Sequence, residues 1–301
     1  MTNSSTKLTI GPILYNWSPE KKRDFYFKIA DEAPVDVVYV GEVTCSKRSP
    51  FFDPFIPEIC ERLTAAGKEV VLSTLALVMS KREQIELQQL TTSELPYEIE
   101  ANDLSAVSLL QGKPHIVGPF VNIYNEGTLR YLYNKGATRV VLPNELPSTS
   151  ISELGVAANG AELEAQVFGR LPLALSARCY HARYQNLSKD GCLYVCEKDP
   201  DGMTVETLDG DPFLAINGTQ TMSYTIHNLL GDLAALKNQG ITHFRLWPQD
   251  VDMVTIADHF RKILDGGTDI ERSFEALKDT ASFAPHSNGF YHAQAGIELV
   301  E

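Results

Sequence analysis

The stretch VDVVYVGEVTCSKRSPFFDPFIPEICERLTAAGKEVVLSTLAL, residues 35–77, holds the pattern on which the fold turns. It opens on an apolar run rich in β-branched residues, 35–41, and closes on another, 69–77. Each is too short for a helix and bounded by turn residues, as expected of strands buried on both faces. Between them, DPFIPEICERLTAAGK has apolar residues at helical spacing and stops at Gly67. Strand, helix and strand with no tight turn between the strands is the signature of a parallel crossover unit.

Outward from this unit the alternation continues. The strand candidates are 8–14, 35–41, 69–77, 97–103, 115–125, 139–145, 163–179 and 243–248, which makes eight. The segment SPEKKRDFYFKIADEA reads as a helix, capped by Ser18 with Pro19 in its first turn. Most units recur at about 25 to 35 residues, which favours a (β/α)8 TIM-like barrel over a doubly wound sheet. No Gly-x-Gly-x-x-Gly or phosphate-loop sequence follows any strand, which weakens a dinucleotide-binding reading. The expected organisation is one domain over 1–301 with an insertion at about 180–240, after the seventh strand. That insertion is expected to hold a hairpin over 203–223 and a helix over 224–240. It would sit on the C-terminal rim, where barrels of this kind place their chemistry.

Composition narrows the function classes. With 26 basic against 39 acidic residues the net charge is −13, and no basic run is present. Nucleic-acid phosphate and anionic lipid are therefore disfavoured as partners. The start lacks secretory architecture, and no apolar segment approaches the roughly 20 residues that cross a bilayer. A cytoplasmic protein that is not integral to a membrane is expected. In a reducing compartment clustered cysteines read as metal ligands or redox groups before disulfides.

The chain has five cysteines. Cys179, Cys192 and Cys196 form a C-x12-C-x3-C set, and Cys45 lies four residues beyond the second strand candidate. On the barrel reading Cys179 ends the seventh strand, Cys45 projects from the same rim, and the insertion folds Cys192 and Cys196 back toward them. Four thiolates suit either a structural zinc or an iron–sulfur cluster. Zinc ribbons bring tight knuckles in pairs, whereas here only Cys192 and Cys196 are close, so the spacing leans toward a cluster. Nearby Lys47, Arg48, Arg178, Arg183 and Lys189 either favour thiolates and offset their charge or are ordinary solvated surface charges, the second being the expectation for Lys189. Arg178, at an apolar strand end, is the expected charge-balancing group. Cys60 falls among Ile56, Ile59 and Leu63 at core-facing spacing and reads as a small buried residue.

The strings GEVTCSKR, VLSTLALV, IEANDLSAV, NIYNEGTLRYLYNKGATRVVLPNEL, LPLALSARCYHAR and INGTQTMS resemble, in order and across nearly the whole chain, the U32 peptidase-like family, and within it the ubiquinone-biosynthesis branch. The resemblance implies a [4Fe–4S] cluster on Cys45, Cys179, Cys192 and Cys196 and a heterodimer with a second family member, UbiU. It also implies a part in O2-independent hydroxylation of the ubiquinone ring, with prephenate or a related hydroxylated metabolite as oxygen source. A lipid-binding accessory protein would present the long-tailed quinone precursors. The alternative is a non-catalytic subunit whose metal centre, iron–sulfur or zinc, only stabilises the complex. Peptidase activity is not expected, because the chain has neither Gly-x-Ser-x-Gly nor His-Glu-x-x-His.

Strand ends supply the candidate substrate contacts Glu42, Thr74, Asn122, Asn125, Glu145 and Arg178, with Asn102 and Tyr124 beside them. Glu42 and Glu145 read either as a proton-transfer pair or as partners of nearby cations. Asn122 and Asn125 read equally as loop-backbone partners. His181 could donate to a cluster sulfur or be a solvated loop residue. Trp247, at the end of the eighth strand, reads as closing the barrel before it reads as lining a pocket.

Overall fold

The computed structural model describes residues 6–300. Seven parallel strands run in chain order around a cylinder: β1 (Lys7–Ile10), β2 (Val37–Val40), β3 (Glu69–Ser73), β4 (Glu98–Ala101), β5 (His115–Val117), β6 (Ala137–Val141) and β7 (Glu162–Gly169). The eighth barrel strand, Ile241–Leu246, pairs with both β1 and β7 and closes the ring. This is a (β/α)8 barrel. The β2 run VVYV is buried at every position because its outward valines pack under helices while Val37 and Tyr39 fill the cylinder with Val71, Ile116 and Val141.

Helices cover the outside and begin where the sequence supplies caps. Ser18 accepts the Lys21 N–H at 3.2 Å ahead of the Pro19–Glu32 helix. Ser80 and Glu83 form a reciprocal capping box ahead of the Lys81–Thr92 helix.

The cylinder's middle is charged. Arg245 is fully buried and donates to Glu164 and Glu100, each at 2.8 Å, while its guanidinium lies 3.9 Å from the Tyr39 ring centroid. Burial alone would raise the Glu164 pKa, but Arg245 and Arg139 outweigh it and hold the carboxyl at about 2. Above this layer Leu14, Val43 and Trp247, with Ala76 and Phe120 against them, plug the C-terminal mouth, and the indole N–H donates to Gln166 Oε1. Trp247 closes the barrel.

The run 163–179 is not one strand. Barrel pairing ends at Gly169, whose φ of +107° is open to glycine and where a Cβ would meet Trp247 Cβ at 2.7 Å. The chain then turns, and β8 (Pro172–Leu175) joins a separate antiparallel sheet with β9 (Met203–Glu206), β10 (Pro212–Asn217) and β11 (Gln220–Ser223), in the order β8-β11-β10-β9. The apolar run was continuous across the break, so periodicity could not show a change of sheet. Cys179 consequently sits beyond β8, not at the end of a barrel strand.

The expected hairpin over 203–223 is two hairpins sharing β10, the second turning through Gly218 and Thr219. The helix expected over 224–240 is confined to Leu233–Asn238. Before it, β12 (Ile226–Asn228) pairs antiparallel with β7. The last barrel strand is thus β13, and β14 (His286–Ser287) pairs parallel with β12. Cross-chain pairing overrode local helix preference there. Among the described residues no helix is long and apolar enough to cross a membrane.

Candidate functional site: a pocket of four cysteines

Cys45, Cys179, Cys192 and Cys196 line one pocket, together with Lys47, Arg48, Lys189, Tyr194, Val195 and Gly218. Three separate chain segments meet there. The loop after β2 carries Cys45, whose N–H donates to Glu42 Oε1 at 3.0 Å and whose carbonyl accepts the Arg48 N–H at 2.9 Å. Cys179 caps the short helix Tyr180–Tyr184, its Sγ accepting the Ala182 N–H at 3.4 Å. The third segment turns between Cys192 and Cys196 through Leu193 and Tyr194, both left-handed at φ +49° and +52°. Two such residues cost about 1–2 kcal/mol each. The turn they make places both Cys192 and Cys196 in the pocket lining.

The β8–β11 sheet clamps these segments. Asn217 is fully buried and donates to the carbonyls of Cys196 (2.9 Å) and Asp199 (2.8 Å), while its Oδ1 accepts from Arg48 Nη2 (2.8 Å) and the Asn16 N–H (3.1 Å). Thr219 Oγ1 donates to the Thr44 carbonyl at 3.0 Å, tying the same turn to the Cys45 loop. Lys47 Nζ donates across to the Lys189 carbonyl at 2.6 Å and to Asp190 at 3.1 Å.

Donors point at sulfur. Cys196 Sγ accepts from Asn16 Nδ2 at 3.3 Å and from Arg48 Nη2 at 3.6 Å. Burial pushes the Cys45 and Cys179 thiols up, and Arg48 pulls both the other way. For Arg48 itself burial disfavours the charge, but Glu42 and the sulfurs of Cys196 and Cys45 outweigh it and raise the pKa. Glu42 accepts from Lys22 Nζ at 3.2 Å and from the N–H groups of Thr44 and Cys45. Burial lowers the Lys22 pKa, and Glu42 opposes the shift. Among the described residues no three or more His, Cys, Asp or Glu side chains are grouped to hold a single ion.

The remaining candidates scatter. Thr74 is buried, its Oγ1 accepting the Asn102 N–H at 3.0 Å and its carbonyl the Asn102 Nδ2 at 3.1 Å, so both residues tie β3 to β4. Asn122 and Glu145 come together in a cavity of about 230 Å³ at the mouth, walled by Phe120, Pro143, Asn144 and β8. Tyr124 stands beside Glu145, whose carboxylate adds to burial in raising the phenol pKa. Asn125 is exposed and caps the Glu126–Tyr133 helix through the Thr128 N–H at 2.9 Å. Glu42 and Glu145 open onto different cavities.

Arg178 is exposed, and among the described residues only its backbone N–H is bonded, to Ser176 Oγ. The buried cation at the sulfurs is Arg48, 3% exposed. His181 is fully buried, not solvated; its Nε2 lies 2.9 Å from Asp199 Oδ2 but off the line of a hydrogen bond. Cys60 packs in the core with Ile59 and Leu63, away from the other four. Sequence reasoning missed Asn16, Lys22 and Asn217. The Asn-Gly pair at 217–218 signals a turn, but nothing local says that the turn reaches the cysteines.

Residues 22–301 match the sequence profile of Peptidase family U32. The chain belongs to family U32. Among solved structures, this U32 chain is similar to a putative fructose-1,6-biphosphate aldolase from Coccidioides immitis at 9% identity and a TM-score of 0.43, covering 94% of this chain and 92% of that one. It is similar to a DAHP synthase from Thermotoga maritima at 10% identity and 0.35, covering 95% and 72%. The spore cortex-lytic enzyme SleL of Bacillus cereus stands at 10% and 0.35, covering 88% and 75%. Likeness of this order bears on neither substrate nor chemistry in the U32 chain.

Proposed function

We propose that this U32 chain acts as UbiV, the iron–sulfur subunit of a cytoplasmic UbiU–UbiV heterodimer for O2-independent hydroxylation in ubiquinone biosynthesis. The observation that carries the reading is the meeting of Cys45, Cys179, Cys192 and Cys196 in one pocket with donors aimed at sulfur. A single zinc needs its donors about 2.3 Å from one point. The spacing, with one close pair among the four cysteines, suits a [4Fe–4S] core better than the paired knuckles of a zinc site.

The four cysteines would hold the cluster, and the group's contribution is one-electron transfer at a potential set by burial and hydrogen bonds to its sulfurs. This chain's residues do the rest. Arg48 supplies a fixed positive charge, Asn16 and the Ala182 N–H donate to sulfur, and Lys22 donates to Glu42, which in turn orients the Cys45 loop. Replacing a ring hydrogen by hydroxyl removes two electrons from the ring. When the oxygen comes from a hydroxylated donor such as prephenate, the donor takes up those electrons and O2 is not required. The polyprenyl tail of the precursor calls for a lipid-binding accessory protein.

One observation favours the second reading, a non-catalytic subunit. The barrel mouth is plugged by Leu14, Val43 and Trp247, and the Glu42 carboxylate is already bonded to Lys22 and to two backbone N–H groups of its own loop. On that reading UbiU contributes the active site. Anaerobic co-purification with UbiU, with iron, acid-labile sulfide and subunit ratio measured on one sample, tests both. About four irons and four sulfides on this chain are expected. Stoichiometric zinc without sulfide overturns the iron readings, and a cluster-free variant that still supports anaerobic quinone synthesis overturns the catalytic one.

A further inference from the structure

The outer edge of the cysteine pocket is built unlike the rest of the surface. Leu193, next to half-buried Cys192, is 77% exposed and left-handed, so backbone strain is spent holding an apolar side chain in water. Phe51, 52% exposed, stands edge-on to Tyr194 with ring centroids 5.2 Å apart and extends the apolar patch.

Cations are denser around it than over the chain as a whole. Residues 177–201 carry Arg178, Arg183, Lys189 and Lys198 against Asp190, Glu197, Asp199 and Asp201, an even balance in a protein of net charge −13. Lys47 adds a fifth cation and already engages Asp190. Arg178, Arg183 and Lys198 are exposed and have no ion-pair partner among the described residues. The helix bearing Arg183 packs against the turn bearing Lys198.

The geometry points to this edge as the docking surface for an acidic one-electron carrier protein that reduces the group held by the four cysteines, an inference resting on the iron–sulfur reading above. The step is a single priming electron passing from reduced carrier to oxidised cluster, with no bond made and no proton moved; it lies outside the two-electron balance of the ring, which the hydroxyl donor closes. An apolar centre with a cationic rim fits the small, fast, salt-sensitive contacts of electron-transfer pairs. Complementary charge raises the encounter rate and loses its effect as salt screens it.

The test uses the anaerobically purified complex with UbiU, a reduced plant-type ferredoxin as probe carrier, and dithionite as a small reductant. The double variant Arg183→Glu, Lys198→Glu and the single variant Leu193→Ser are compared with a remote control, Lys262→Glu. Cluster reduction by ferredoxin at low salt should slow about tenfold or more in the charge variant, and the difference should vanish at high salt. Dithionite reduction, iron content and UbiU recovery should not change. Unaltered ferredoxin rates overturn the inference. So does loss of UbiU, which would make this face the heterodimer interface. A chain without iron or sulfide is recognised beforehand by its colour and sinks the underlying reading instead; salt-dependent ferredoxin binding, measured by calorimetry, then decides whether the surface still docks an acidic protein.

Discussion

The Arg48 guanidinium, buried to 3% exposure, lies 3.6 Å from the Sγ of Cys196. Its other contacts, to Asn217 Oδ1 and to the Leu14 carbonyl, fix it there. The cysteine pocket thus contains a permanent positive charge supplied by the loop that also carries Cys45.

Removing that charge leaves Glu42 with Lys22 as its only cation. Arg48→Leu is expected to cost about 3 kcal/mol or more, the cost of breaking a buried charge network. It should also lower the iron retained after anaerobic purification. Urea titration of the apoprotein separates the two effects.

The five cysteines should divide four to one. Alanine at Cys45, Cys179, Cys192 or Cys196 is expected to abolish the visible absorption of a bound cluster. Cys60→Ala, in the core, should keep it and cost about 1 kcal/mol of stability. Loss of absorption in Cys60→Ala would contradict the assignment.

Gly218 turns β10 into β11 at φ +71°, and a Cβ there would lie 2.5 Å from Arg48 Nη2. Gly218→Ala combines backbone strain with displacement of the guanidinium. A loss of about 1–3 kcal/mol in thermal or urea unfolding is expected. Gly210→Ala, with a positive φ but open space around it, should cost less.

Acid should destabilise the fold in two stages. Burial lowers the His227 pKa from 6.5 to about 4. Between those values the unfolded chain binds a proton that the folded chain refuses, so stability falls as pH drops from about 6.5 to 4. Glu164 is held at about 2, below its unfolded value of 4.5, so its contribution is complete above about 4.5 and is lost on approaching 2. Each shift corresponds to about 3 kcal/mol. Urea unfolding measured across pH 2–8 should show both slopes, and His227→Leu should make the upper one shallower, the remainder coming from His115, His243, His259 and His286, whose pKa values burial also lowers.

The barrel was legible because parallel strands buried on both faces carry dense apolar runs, and seven of the eight lie where those runs lie, from 8–14 through 139–145 and again at 243–248. The run 163–179 misled, since one apolar string serves both β7 and β8, and only the turn after Gly169 separates them. Cys45, Cys179, Cys192 and Cys196 were legible as a set because few residue types bind metal and this chain has few cysteines. Arg178 was not, because a cation's role depends on which way its side chain leaves the backbone. It points to solvent, whereas Arg48 enters the pocket.

Hydrophobic periodicity, a local property of the chain, determined by itself that strands and helices alternate and that eight strands are available to close a cylinder. Which thiols share a wall, which cation faces them and which asparagine clamps the turn were decided only in three dimensions. The contacts of Asn16, Arg48 and Asn217 with the Cys196 segment join residues up to 180 positions apart, and chain closure over that distance leaves no local trace.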